Sequence, residues 1–175
     1  MEILKTERLT LRPYRMEDFE SVHKYASNEN ICKYMLFGPN TIEDTKNFLF
    51  KVIHEFYMDI PMTHLEYAIE MGGMLIGGVS IHLNLEKKEG EMGWILNPDF
   101  HKQGIASEAA KLLMQHVIKT YNLKKIIAKC DSRNVASEGV MKKLGMQKIK
   151  CEYKTRIDKK TGLYVYDTLI YQIEI

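Results

Sequence analysis

An α/β fold with one mixed sheet is the class this sequence predicts. Two glycine- or turn-joined hairpins occupy its middle, and a strict strand, helix, strand, helix alternation follows them. Between the two halves, a strand stopped by Pro98 leads through a single glycine, Gly104, into a long amphipathic helix. Counted in order, the elements come to seven strands and about four helices, with no internal repeat, linker or low-complexity tract to divide residues 1–175 into more than one domain.

The elements follow from local pattern. "RLTLRPY" alternates Leu9 and Leu11 with polar neighbours and stops at Pro13, which gives a half-buried strand over about residues 5 to 12. Phe19, Val22 and Ala26 then recur at helical spacing behind Glu17 and Asp18, an acidic pair that suits a helix start. Thr41 and Asp44 form a capping box ahead of the apolar stripe Phe48, Val52, Ile53 and Phe56. "LEYAIEM" and "MLIGGVSIHLNL" are strands joined by Gly72 and Gly73, residues able to take the positive φ of a two-residue hairpin turn. A second turn in "EKKEGE" leads to the strand "MGWILN". Ala106, Ala109, Ala110, Leu113 and Val117 line one helix face, Asn122 is a left-handed stop, and "KKIIAKC" completes a βαβ crossover. Asn134 caps a last helix closed by Gly145, and the tail reads as two strands with a turn in "DKKTG".

Composition excludes several functions. The formal charge is only +2 and lysines are interspersed with glutamates, so there is no basic face for a nucleic acid backbone. The cysteines Cys32, Cys130 and Cys151 are odd in number and outside CxxC spacing, against a disulfide framework or a structural zinc site. They read as reduced thiols of a cytoplasmic protein. "MEILKTERLTLRPY" carries charges where a signal peptide needs an apolar run, and no stretch approaches the ~18 apolar residues of a membrane span. The expectation is a protein neither exported nor membrane-spanning.

The junction at Gly104 carries the chemistry. A helix N-terminus has unpaired N–H groups and about half a positive charge, so a loop entering one suits a phosphate. Neither GxGxxG nor the Gly-Lys-Ser/Thr of a P-loop is present. What is present is Gly104-Ile105-Ala106, where small residues leave open the space above the amides of residues 102 to 106. A pyrophosphate fits there; so does an ordinary strand-to-helix turn that happens to contain a glycine.

"HKQGIASEA" resembles motif A of the Gcn5-related N-acetyltransferases, Gln/Arg-x-x-Gly-x-Gly/Ala, with Gly104 and Ala106 in the glycine positions and His101 in place of Gln or Arg. "TERLTLRPYRMEDF", "GEMGWILNPDF" and "NVASEGVMKKLGM" are similar, in order and spacing, to the ribosomal-protein N-acetyltransferase branch. The resemblance implies a seven-stranded mixed sheet with four helices and acetyl-coenzyme A in a cleft where the fourth and fifth strands splay apart. It implies further that the amides of Lys102, Gln103, Gly104, Ile105 and Ala106 hold the pyrophosphate. Ile95, Leu96 and Asn97 would offer backbone groups to the pantetheine arm, which can pair like an added half-strand. Asn134 would reach the pantetheine with its side chain or serve only as a helix cap, and Ser137 would donate to the departing sulfur or stand as a first-turn surface hydroxyl. Met141 occupies the place where many members carry a tyrosine acid.

A thiol of pKa ~8.5 leaves readily as thiolate, whereas the attacking amine must be neutral. At pH 7 about a tenth of an α-amino group of pKa ~8 is neutral, against roughly 0.04% of a lysine amine of pKa ~10.4. Glu91, in "GEMGW", is the candidate base, directly or through water; its alternative is an exposed strand-end carboxylate. The expected partners are acetyl-CoA and a primary amine: a protein N-terminus by branch resemblance, or a polyamine, amino acid or amino-modified antibiotic. A homodimer is compatible with the family. The alternative of another class is a non-catalytic module that binds acyl-CoA and regulates a partner.

Overall fold

The computed structural model describes residues 1–55, 58 and 61–175. The described strands form one eight-stranded sheet in the order β1-β2-β3-β4-β5-β6-β8-β7. These are β1 (Leu4–Lys5), β2 (Thr10–Arg12), β3 (His64–Met71), β4 (Met74–Asn84), β5 (Glu89–Leu96), β6 (Lys125–Asp131), β7 (Gln147–Ile157) and β8 (Tyr164–Glu174). All neighbours pair antiparallel except β5 and β6, which are parallel across the long helix α4 (Ile105–Tyr121). The remaining α-helices among the described residues are α1 (Phe19–Ala26), α2 (Glu29–Cys32), α3 (Ile42–Phe50), which continues as a π-helical turn over Lys51–Glu55, and α5 (Val135–Lys143).

Two elements differ from the sequence expectation. The strand predicted over about 5 to 12 doubles back on itself: Thr6 bonds Leu9 through both backbone and hydroxyl, so Leu4 pairs with Leu11 and one expected strand becomes β1 and β2. That raises the count from seven to eight. The short helix α2 is the second addition, capped by Asn28, whose side chain accepts from the Asn30 and Ile31 amides. Asp18 also has a different task from the expected dipole pairing. Its carboxylate is buried and accepts two 2.8 Å hydrogen bonds from Arg12, whose Nε reaches Glu70 at 2.6 Å. This buried guanidinium, held protonated by its two carboxylates against the cost of burial, ties β2 to β3 and to the start of α1.

Elsewhere pattern and structure agree. The Thr41–Asp44 capping box opens α3, Gly72 and Gly73 take φ of +58° and +79° in the β3–β4 turn, Asn122 is left-handed after α4, and Gly145 closes α5. In the predicted stripe Val52 is buried and Phe48 and Ile53 pack beside it, while Phe56 lies outside the described residues. The "EKKEGE" turn uses Lys88, not Gly90, at positive φ, because Gly90 already belongs to β5.

The central strands are covered on both faces, while β7 at the edge has no buried residue. Val79, Ile81, Met92, Leu96, Ile126 and Ala128 face α4 and α5, whose Ala109, Leu113, Val117 and Met141 complete the larger core. The opposite face meets α1 and α3 through Tyr14, Tyr25, Leu49 and Ala68. No helix among the described residues is long and apolar enough to cross a membrane.

Candidate active site

Parallel pairing of β5 with β6 runs only from Glu89–Lys125 to Met92–Ala128. Beyond it β5 continues to Leu96 alongside β4, and β6 continues to Asp131 alongside β8, so the sheet divides. A cleft of about 960 Å³ passes through this division. On the α5 side it is lined by Met92, Trp94, Cys130, Asn134 and Ser137, and on the α1–α3 side by Tyr14, Glu66, Ser80, His82 and Glu91. Two molecules approaching from opposite faces of the sheet can therefore meet at Met92 and Gly93.

The loop after β5 shows the predicted geometry. A 3₁₀ turn at Pro98–Phe100 is capped by the Asn97 side chain, and Gly104, at φ +76°, is the left-handed N-cap of α4. Lys102 also has positive φ. The Glu108 amide bonds the Gly104 carbonyl at 3.0 Å, so the amides of residues 104 to 107 precede the first intrahelical bond. Arg8 braces the loop from behind: its guanidinium donates to the Gln103 carbonyl at 2.9 Å and pairs with Glu108 at 2.7 Å. That pairing, with the Thr6 hydroxyl, keeps the Glu108 carboxyl below its ordinary value against burial, and it balances an anion in the turn where a phosphate would bind. His101 does not disturb the loop amides; its ring Nε2 donates to the Leu96 carbonyl at 2.9 Å.

Of the three positions expected to meet a pantetheine, the Asn97 amide is committed to the Ile76 carbonyl at 2.8 Å and the Leu96 carbonyl to His101, while Ile95 lines the cleft. Trp94 carries a buried Nε1–H without a partner among the described residues. Asn134 is the N-cap of α5, its carbonyl oxygen accepting from the Ser137 amide at 3.1 Å, which leaves its NH₂ end for a ligand. The turn that presents it is fixed by Asp131, which takes Arg133 in a bidentate pair; Arg133 in turn lies 3.1 Å over the Tyr166 ring. Burial would raise the Asp131 carboxyl, but the Arg133 hydrogen bonds and charge prevail and hold it below the usual value. Ser137 reaches the cleft, whereas Met141, one turn further along α5, is fully buried in the core and does not line it. Burial pushes the Cys130 thiol up to about 11, which suits a structural cysteine rather than a nucleophile.

Glu91 lies on the cleft face but is paired with Lys129 Nζ at 2.7 Å, both side chains being partly exposed. The residue opposite it on β4 is His82, whose Nδ1 is 2.8 Å from Nδ1 of His64; His64 Nε2 is 3.1 Å from Glu66. This row was not visible in sequence, because only the strand register brings its members together.

A divided strand pair facing a glycine-led helix N-terminus fits an acyl-CoA: amides for the diphosphate, a free strand edge for the amide-bearing arm, and a through-cleft for the thioester. The family model for the acetyltransferase (GNAT) domain matches residues 8–147. This chain belongs to that family. The GNAT chain is 33% identical over 145 residues to an uncharacterized N-acetyltransferase, YnaD, of Bacillus subtilis, covering 83% of this chain and 82% of that one. It is 26% identical to spermidine N(1)-acetyltransferase of Escherichia coli over 77% of its own length and 70% of that enzyme's. Among solved structures it is similar to a GNAT acetyltransferase from Bacillus anthracis, at TM-score 0.82 and 31% identity over 99% and 98% of the two chains. The fold extends to the ribosomal L7/L12 α-N-protein acetyltransferase RimL bound to coenzyme A, at TM-score 0.86 and 19% identity over 99% and 98%. The GNAT chain is thus an acetyltransferase, and acetyl-CoA is its donor substrate.

Proposed function

We propose that this acetyltransferase modifies the α-amino group of a protein N-terminus by direct attack within a ternary complex. The observation that supports it is the acceptor side of the cleft. Asp44, Glu66 and Glu91 are matched there by Lys51, Lys129 and Arg156, with Tyr14, Tyr25 and Tyr34 between them. Such mixed charge suits a peptide, with its amides and varied side chains, better than a polycation, which three cationic side chains would repel. An α-amino group also demands less of a base than a lysine amine, by the neutral fractions worked above.

In this reading, the amides of Lys102, Gln103, Gly104, Ile105 and Ala106 hold the diphosphate of acetyl-CoA. The stretch from Ile95 through Leu96 to Asn97 flanks the pantetheine arm, and the Asn134 NH₂ reaches it. Glu91 attracts the acceptor's charged amine and serves the proton path, and Ser137 meets the departing sulfur. Most of the rate comes from holding amine and thioester together, with a β5 amide polarising the thioester carbonyl. A second reading, a polyamine acceptor, draws on the spermidine acetyltransferase relative and on the three carboxylates in the lining.

The test is release of free thiol from acetyl-CoA with three acceptors: peptides with free α-amines, the same peptides α-blocked but with a lysine, and spermidine. The free α-amine peptides should give the highest kcat/KM. Preference for spermidine would replace this reading with the second.

A further inference from the structure

Proton removal from the acceptor is the hard step, and Glu91 already holds an ammonium group, Lys129, at 2.7 Å. The cleft face of the sheet offers another acceptor of protons. Pairing of β3 with β4 sets His64 opposite His82 and Glu66 opposite Ser80, and pairing of β4 with β5 sets His82 opposite Glu91 and Ser80 opposite Gly93. His82 is therefore diagonal to Gly93 on one face, a separation of roughly 7–8 Å between strand neighbours that the imidazole with one water would span.

The hydrogen bonds fix the protons. A carboxylate only accepts, so His64 Nε2, 3.1 Å from Glu66 Oε2, is the donor there. When the His64 ring is neutral, its lone pair is on Nδ1. His82 Nδ1, 2.8 Å away, must donate to it. That leaves the lone pair of neutral His82 on Nε2. His82 lines the cleft, while the His64 side chain, 11% exposed, sits behind it.

We infer that His82 Nε2 is the general base of this transferase, with His64 and Glu66 as positioning residues that fix its tautomer. This rests on the acetyl-transfer reading above and moves the base from Glu91 to the neighbouring strand. As the amine nitrogen forms its bond to the thioester carbonyl carbon, its proton passes to His82 Nε2, directly or through one water. The C–S bond then breaks with its electron pair on sulfur, and the proton on His82 goes to solvent or to the thiolate. Partial burial holds the His82 imidazole below its ordinary value, against the pull of Glu91. The titratable and charged groups around this site are His64 and Glu66 from β3, Glu91 from β5, Lys129 from β6, Arg156 from β7, and Asp44 and Lys51 from α3 and the π-helical turn Lys51–Glu55 that continues it, with Tyr14 and Tyr25 below.

Two measurements test it. The first is the pH dependence of kcat and kcat/KM, with acetyl-CoA and the best acceptor of the panel, for the wild type, His82→Asn, Glu66→Gln and Glu91→Gln. Asparagine keeps a donor toward His64 and removes the base. His82→Asn should lose about a hundredfold in kcat, the lower range for general base catalysis, with its acid limb gone and coenzyme A binding unchanged. Glu66→Gln should keep the limb and move it to lower pH, since the anion behind the imidazolium is lost. Glu91→Gln should raise the amine KM and keep the limb. The second measurement is ¹⁵N NMR of the histidine rings, which needs no acceptor: neutral His82 should be protonated on Nδ1. Wild-type kcat with an intact limb in His82→Asn, loss of the limb in Glu91→Gln alone, or an Nε2–H tautomer overturns the inference. Failure of the wild type to acetylate any amine overturns the functional reading instead, and the tautomer still decides this one.

Discussion

Substituting Gly77 by alanine presses a methyl group into the strand that would carry the pantetheine. A Cβ on Gly77 overlaps the Ile95 carbonyl oxygen and stands 3.0 Å from both Leu96 Cα and Leu96 Cδ1. Two of these three atoms are backbone, so no side-chain rotation relieves them, and β5 must move away from β4. Overpacking of this kind costs about 1–3 kcal/mol. For a chain of this size each kcal/mol lowers the melting temperature by about 2–4 °C, so Gly77→Ala should melt about 2–12 °C below the wild type. Displacement of Ile95 and Leu96 reaches the thioester. Because ~1 Å of misplacement can cost about a hundredfold, kcat/KM for acetyl-CoA should fall at least about tenfold. The control is Gly139, in α5, where a Cβ meets nothing within 4 Å. Gly139→Ala should be neutral or gain about 0.5–1 kcal/mol. Circular dichroism melts and steady-state rates on both variants suffice. If Gly77→Ala melts with the wild type and keeps its kcat/KM, the close approach of β4 and β5 is not the constraint described.

Arg12→Met would leave the Asp18 carboxylate buried without its partner, and a urea titration should show a loss of about 3–5 kcal/mol. The Asp131 carboxyl lies below its usual 3.8 when folded, so its stabilisation is present above that pH and is lost as pH falls through the folded value. Wild-type melting temperature should therefore fall below about pH 4 more steeply than that of Asp131→Asn, and parallel curves would refute the Asp131–Arg133 contribution. Ser137→Ala should reduce kcat with acetyl-CoA by less than about tenfold, since a thiolate leaves without much help; a loss near a thousandfold would make Ser137 an obligatory acid.

Much of the architecture was legible because hairpin glycines, caps and apolar periodicity each act over a few residues. The Thr41 box, the Gly72–Gly73 turn, Asn122 and Gly145 are local features, and local chemistry determined them. The N-terminal doubling was hidden because Thr6, an unremarkable strand residue by pattern, uses its hydroxyl to turn the chain. The loop at Gly104 was legible for the same local reason, through one left-handed residue before a long helix. The histidine row was not. A bulge between Ile69 and Glu70 shifts the β3–β4 register by one residue, and without that shift His64 would face Ile81 rather than His82. Likewise, nothing near Glu91 in the chain announces Lys129 as its partner; the division of β5 from β6 creates that pair.

Calorimetric titration of coenzyme A into the wild type and Gly104→Val tests the central claim most directly. Gly104 sits at φ +76°, with only Arg8 Nη2 within 4 Å of a built Cβ, so valine costs about 1–2 kcal/mol of backbone strain and leaves the chain folded. The wild type should take up one coenzyme A per chain, and the variant should bind at least about tenfold more weakly, a difference of ~1.4 kcal/mol. Equal affinity in the two proteins, or no uptake by the wild type, would contradict a diphosphate held on the amides around Gly104.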